Sequence, residues 1–211
     1  MTQASDDESK GGLPGYLEMS LGDFLTALGS GQAAPGGGSA AAACVALGAC
    51  LCAMTARLSV RQLAAAQASD LAAEADRLSQ AAASLIQADA ESFQRAWTAR
   101  RRPAAEPASQ QTQAAAGEQL DAADLSAAAA VPLQIMELAS QVARLAARLA
   151  KAGNRNLHGD AVTGLMLAEA GARAAAVLVE INLGGADDER AKHATLLLDA
   201  IAGTVREAIQ K

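Results

Sequence analysis

The sequence predicts an all-α protein, a bundle of five to six helices around a buried Ala-rich central helix. Three observations carry that reading. Hydrophobic residues fill 51% of the 211 positions but aromatics only 2%. The apolar content is therefore alanine with leucine, and alanine has the best helix propensity and no side-chain entropy to lose. Runs of valine, isoleucine and threonine with strand alternation are essentially absent, while apolar residues recur at helical spacing between glycine and proline interruptions. A chain of this length fills one core, so one domain is expected.

Taken in order, residues 1–15 (Ser, Asp, Glu, Lys, Gly) read as a disordered tail, leaving 16–211 as the helical domain. Leu21 to Leu28 is a short amphipathic helix with Leu21, Phe24, Leu25 and Leu28 on one face. Ala34-Pro35-Gly36-Gly37-Gly38-Ser39 then breaks regular structure and lets the backbone approach something closely. Ser39 is placed to cap a helix over 40–58, whose free N–H groups would cradle an anionic or carbonyl oxygen. A plain flexible loop before a buried helix has the same composition. Residues 40–56 carry no charge, so that helix must be surrounded.

A long helix is predicted over 61–101, with Leu63, Leu71, Leu78, Leu85 and Phe93 on its apolar side. Residues 102–117 form a linker or mobile loop around Pro103 and Pro107. Helix resumes near 119 and runs to 152, with Pro132 as a kink or break, and Gly153-Asn154 interrupts it. A further helix covers 158–182 and stops at Gly184-Gly185. The last, 187–209, has acids in its first turn, as the helix dipole favours. Small residues recur at every fourth position in Ala40, Cys44, Gly48, Cys52 and Ala56, and again in Gly164, Ala168, Ala172 and Ala176. Two such helices can approach closely, and one chain of this size does not supply neighbours for both, so a homodimer is expected.

Formal net charge is −6, which argues against nucleic acid as a partner; Arg100-Arg101-Arg102 reads as a solvated helix end. Cys44, Cys50 and Cys52 lie in one apolar helix without C-x-x-C spacing, which fits reduced, buried cysteines in a cytoplasmic protein. The first dozen residues are polar rather than signal-like. Residues 39–56 approach the length of a membrane span, but so alanine-rich a segment fits a buried helix better, and no membrane partner is expected.

The second informative stretch is Gly153-Asn154-Arg155-Asn156-Leu157-His158-Gly159-Asp160, where Asp160 is the acid at the start of an apolar helix. Its carboxylate is favoured there and has the chemistry of a general base or of a partner for a cationic intermediate. A simple complement to the helix dipole would look the same. His158 reads as a polar surface residue. No metal-ligand spacing, Ser-His-Asp set or P-loop appears, so neither metal nor cofactor is expected.

With these stretches in place, the chain resembles the cyclodeaminase/cyclohydrolase family of folate enzymes. That family includes the C-terminal domain of formiminotransferase-cyclodeaminase and free-standing methenyltetrahydrofolate cyclohydrolases. The matching pieces run in order from Phe24-Leu25 and Ala34 to Ala41, through Ala88-Asp89-Ala90-Glu91-Ser92-Phe93 and Val131-Pro132-Leu133, to Gly153-Asn154-Arg155-Asn156 with Asp160, and Ile181-Asn182-Leu183. The resemblance implies a dimeric all-α enzyme acting on a one-carbon unit carried by tetrahydrofolate. It would cyclise 5-formiminotetrahydrofolate to the 5,10-methenyl form with release of ammonia. The alternatives are a methenyltetrahydrofolate cyclohydrolase, or a diverged folate-binding paralogue without full activity. Asp160 matches the family's Asp. The resemblance implies that Pro35, Gly36, Gly37, Gly38 and Ser39, with Arg61, Asn154, Asn156 and Asn182, surround the ligand.

The chain departs from the family pattern in four places. A Thr-x-Gly-Lys-Lys-x-Tyr-like segment is replaced by Leu58-Ser59-Val60-Arg61-Gln62-Leu63, and Arg61 cannot serve as an acid because it stays charged. Gln87, Gly159 and Leu178 stand where the family has an acid, a Ser and an Asn. Residues 160 and 178 lie roughly 27 Å apart along one helix, so the two ends of that helix would serve different subunits' sites, or the family's Asn is structural.

Overall fold

The computed structural model describes residues 13–100, 126–185 and 187–210. The expected linker over 102–117, residues 1–12 of the expected tail, and Arg101-Arg102 lie outside the described residues. Within them the chain forms α1 (Leu21–Leu28), α2 (Gly37–Arg57), α3 (Ala65–Arg100), α4 (Ala130–Ala152), α5 (His158–Leu183) and α6 (Glu189–Ile209), with a 3₁₀ turn at Arg155–Leu157 and no strand. The expected all-α bundle is what the chain builds.

Helix α2 is the core element. Ala41, Ala42, Val45, Ala49, Cys52 and Ala56 are buried, and α3, α4 and α5 all pack on it. Its small residues let α5 come to backbone contact. A Cβ on Gly48 would lie 2.7 Å from the Gly164 carbonyl, and one on Gly171 would lie 2.8 Å from the Ala41 carbonyl. Seven residues forward on α5 answer to seven residues back on α2, so the pair runs antiparallel. By length and hydropathy both helices are long enough to cross a bilayer, yet 61% of the apolar α2 window is buried in the bundle.

The larger side chains come from the flanking helices. Ile135, Met136 and Leu149 of α4 and Leu165 of α5 are among the most buried, each contributing about 1.5–3 kcal/mol by leaving water. Pro132 sits in the first turn of α4, where an N–H has no helical partner to lose, and the expected break falls just ahead of it: helical residues 126–128 end in a turn at Ala129 before α4 begins. Helix α5 ends at Gly184, whose φ of 62° closes the left-handed cap. Asp188 caps α6, accepting from the Arg190 N–H at 2.8 Å; the same arginine holds the Asp188 carboxyl down to about 2.

Two packing expectations change. The apolar face of α1 is only partly covered: Phe24 meets Tyr16 edge-on with ring centres 6.2 Å apart, but Leu21 and Leu25 are exposed. Helix α2 is not surrounded either, because Leu47 and Cys50 face solvent. The cysteines are therefore free but not all buried. Cys52 is enclosed and its thiol is pushed up to about 12, chiefly by burial, whereas Cys50 lies 3.1 Å from the Ser79 hydroxyl at the surface.

Candidate active site

The triglycine turn does not wait empty for a ligand oxygen, because the chain's own Asp89 occupies it. Helix α2 starts at Gly37, with Gly36 as its cap and no capping side chain. Ser39 is therefore inside the first turn, not ahead of it. Its buried hydroxyl points to α3, 2.9 Å from the Ile86 carbonyl and 3.1 Å from Asp89 Oδ2, and its backbone also hydrogen-bonds Asp89. The Asp89 carboxylate lies so close to Gly38 that a Cβ there would overlap it. An anion is favoured at this helix start. Burial nevertheless pushes the Asp89 carboxyl above its ordinary value, with the Ser39 bonds opposing.

Around this point Pro35 is buried, while positions 36 and 37 have open space where a Cβ would be. Tyr16 is buried nearby, its N–H donating to Gln87 Oε1 at 3.2 Å, and Gln87 Nε2 donates to Glu91 at 3.1 Å. A cavity of about 560 Å³ opens beside it, walled by Tyr16, Ala34, Pro35 and Phe93 among others.

The second group of expected residues gathers at the other end of α2. Asn154 donates its N–H to Ser59 Oγ at 2.8 Å and its side-chain amide to the Leu58 carbonyl at 3.2 Å, while its Oδ1 accepts the Asn156 N–H at 3.1 Å. It ties the α4–α5 connection to the chain leaving α2. Gly153 is needed for that fit, since a Cβ would lie 2.6 Å from the Leu149 carbonyl. Arg61 and Asn156 are exposed, and Asp160 is half-buried in the first turn of α5.

One chain does not bring the two groups together. The α2–α5 register sets Asp160 beside residue 52 of α2, about 20 Å along the helix from Gly37. Asn182, half-buried near the end of α5, belongs to the triglycine side. Pro35, Gly36, Gly37, Gly38, Ser39 and Asn182 thus stand at one end with Asp89, and Arg61, Asn154, Asn156 and Asp160 at the other. Asp89 is the residue that site reasoning from sequence missed; its signal was the Ala88-Asp89-Ala90-Glu91-Ser92-Phe93 piece on which the family resemblance already rested. Among the described residues no three of His, Cys, Asp or Glu gather to hold a metal ion.

A family model described as formiminotransferase-cyclodeaminase matches residues 20–197. A crystal structure described as formiminotetrahydrofolate cyclodeaminase from Thermotoga maritima aligns with a TM-score of 0.73 at 21% identity, covering 93% of this chain and 94% of that one. That likeness speaks for the fold. No curated protein matches the chain.

Proposed function

The chain belongs to the formiminotransferase-cyclodeaminase family, and on that premise we propose that it cyclises 5-formiminotetrahydrofolate to 5,10-methenyltetrahydrofolate with release of ammonia. The observation that carries this reading is the Asp89 carboxyl, held at the α2 N-terminus by Ser39 and raised by burial. The reaction needs such groups. N10 attacks the formimino carbon and gives up its proton; a tetrahedral carbon forms between two nitrogens; the C–N bond to the departing nitrogen breaks and ammonia leaves with a proton. A buried carboxyl of raised pKa holds and returns a proton, and a second carboxylate steadies the amidinium. Asp89 suits the first role and Asp160 the second.

The site is completed by a second copy. The uncovered surface of the antiparallel α2–α5 pair exposes Leu47, Met166, Val177 and Ile181, apolar residues of the kind that homodimers bury. A two-fold axis across that pair turns each copy end for end, which carries Asp160 of the partner subunit towards the triglycine end. The protein is then a cytoplasmic homodimer whose folate substrate lies between subunits, using neither metal nor cofactor.

The test is spectroscopic. Appearance of the methenyl chromophore from formiminotetrahydrofolate, faster than without protein, supports the proposal. Accelerated decay of methenyltetrahydrofolate alone would replace it with the cyclohydrolase reading. Silence in both, with folate bound, points to the diverged paralogue, which the missing Lys/Tyr segment at Leu58 to Leu63 favours.

A further inference from the structure

A further cavity has neither Asp89 nor Asp160 on its wall. It measures about 680 Å³, between α4, α6 and the 3₁₀ turn. Arg144, Arg148 and Lys151 line it from one face of α4, and Arg155 and His158 from the turn that follows. Glu207 is the one acid on its wall. None of the four fixed cations is in an ion pair among the described residues; Arg144 only donates to the Ser140 hydroxyl at 2.7 Å. In a chain with net charge −6, four fixed cations facing one acid around a single hollow make a local reversal of sign.

Two cheaper explanations fall short. Cations complement the last turn of a helix, which accounts for Lys151 and Arg148 but not for Arg144, two turns back, nor for Arg155 beyond the helix. The groove is also not the carboxylate site seen from behind. His158 Nδ1 faces the Ala150 carbonyl on α4 at 3.1 Å, and Asp160, two residues on, projects about 200° further around α5, away from the groove.

We infer that this groove binds a small, multiply charged oxyanion, a polyphosphate or polycarboxylate, through Arg144, Arg148, Lys151 and Arg155. Guanidinium forks match both classes of oxygen acceptor, and clustered cations without acidic partners favour a ligand that brings several charges at once. The inference is independent of the folate reaction, since binding is read without folate.

Pyrophosphate and citrate are the probes, titrated calorimetrically against the whole protein, with sodium chloride at matched ionic strength as control. Saturable binding of pyrophosphate alone assigns phosphate ligands; binding of both assigns charge as the criterion; either result supports the site. Arg148 and Arg155 are exposed, so an Arg148→Gln, Arg155→Gln double variant should keep its helical circular dichroism. Its affinity should fall about tenfold for each arginine lost. Heats no larger than those of chloride, or equal affinity in the double variant, would overturn the inference.

Discussion

The Asp89 carboxylate fills the space that a side chain at Gly38 would need. A backbone position on α2 and a side chain 51 residues later on α3 are thus one structural unit. Ser39 completes it, with its hydroxyl 3.1 Å from the same carboxylate. The third glycine of the turn is therefore explained by a tertiary contact rather than by backbone freedom, since no φ in that turn is positive.

The contact predicts a coupled pair. Gly38→Ala should lower stability by about 1–3 kcal/mol, the usual cost of overpacking, because its methyl group displaces a carboxylate bonded to Ser39. In an Asp89→Ala background the same change should cost much less, since the obstacle is gone. Urea denaturation of the four proteins of the cycle measures this, and simple additivity would dismiss the coupling.

Burial makes Asp89 costly, and the sign follows from its raised pKa. Below the ordinary value of 3.8 the group is protonated in folded and unfolded chains alike and favours neither. As pH rises from there through the raised folded value, the unfolded chain ionises first and stability is lost. Asp89→Asn removes that loss while keeping an oxygen for Ser39. The variant should melt at or above the parent temperature near neutrality, with the gap closing in acid, yet lose about 100-fold or more in turnover if Asp89 moves the proton. Thermal melts across pH, paired with the chromophore assay, separate a reactive carboxyl from a structural one.

What could be read from the chain, and what could not, divides along the range of the causes. The end of α5 was legible because Gly184 and Gly185 stop it locally, both at positive φ. The expected span 158–182 accordingly lies within one residue of His158–Leu183. The close approach of α2 and α5 was legible from Gly48 and Gly164. The start of α2 was not: three glycines disfavour helix, and what holds Gly37 to Ser39 in the first turn includes Asp89 on another helix. The exposure of Leu25 and Leu47 was hidden for a related reason, because amphipathic spacing marks an apolar face without saying what covers it.

Thr55 offers a test of the core without reference to chemistry. Its hydroxyl is buried and has no hydrogen-bond partner among the described residues, although its carbonyl accepts from Ser59 at 2.6 Å. A buried, unpaired hydroxyl costs stability that an apolar isostere does not. Thr55→Val should stabilise the protein by about 1 kcal/mol, seen as a higher urea midpoint with an unchanged slope. A lower midpoint would mean that the hydroxyl has a partner, such as an enclosed water.

The strongest prediction concerns the separation of Asp89 and Asp160 at opposite ends of α2. Asp160→Asn alone should abolish turnover with the fold intact, as seen by circular dichroism, but that result does not say whose Asp160 serves which Asp89. Mixed dimers do. If each site takes Asp89 from one subunit and Asp160 from the other, a dimer of one Asp89→Asn chain and one Asp160→Asn chain has a doubly altered site and an unaltered one. Random reassociation of the two inactive variants should then restore about one quarter of the parent activity, because about half the dimers are mixed and each has one native site. Were both residues to act within one subunit, every site in the mixture would lack a carboxylate and activity would stay at the level of the single variants. Recovery requires that subunits exchange, which differently tagged copies verify by co-purification before the assay.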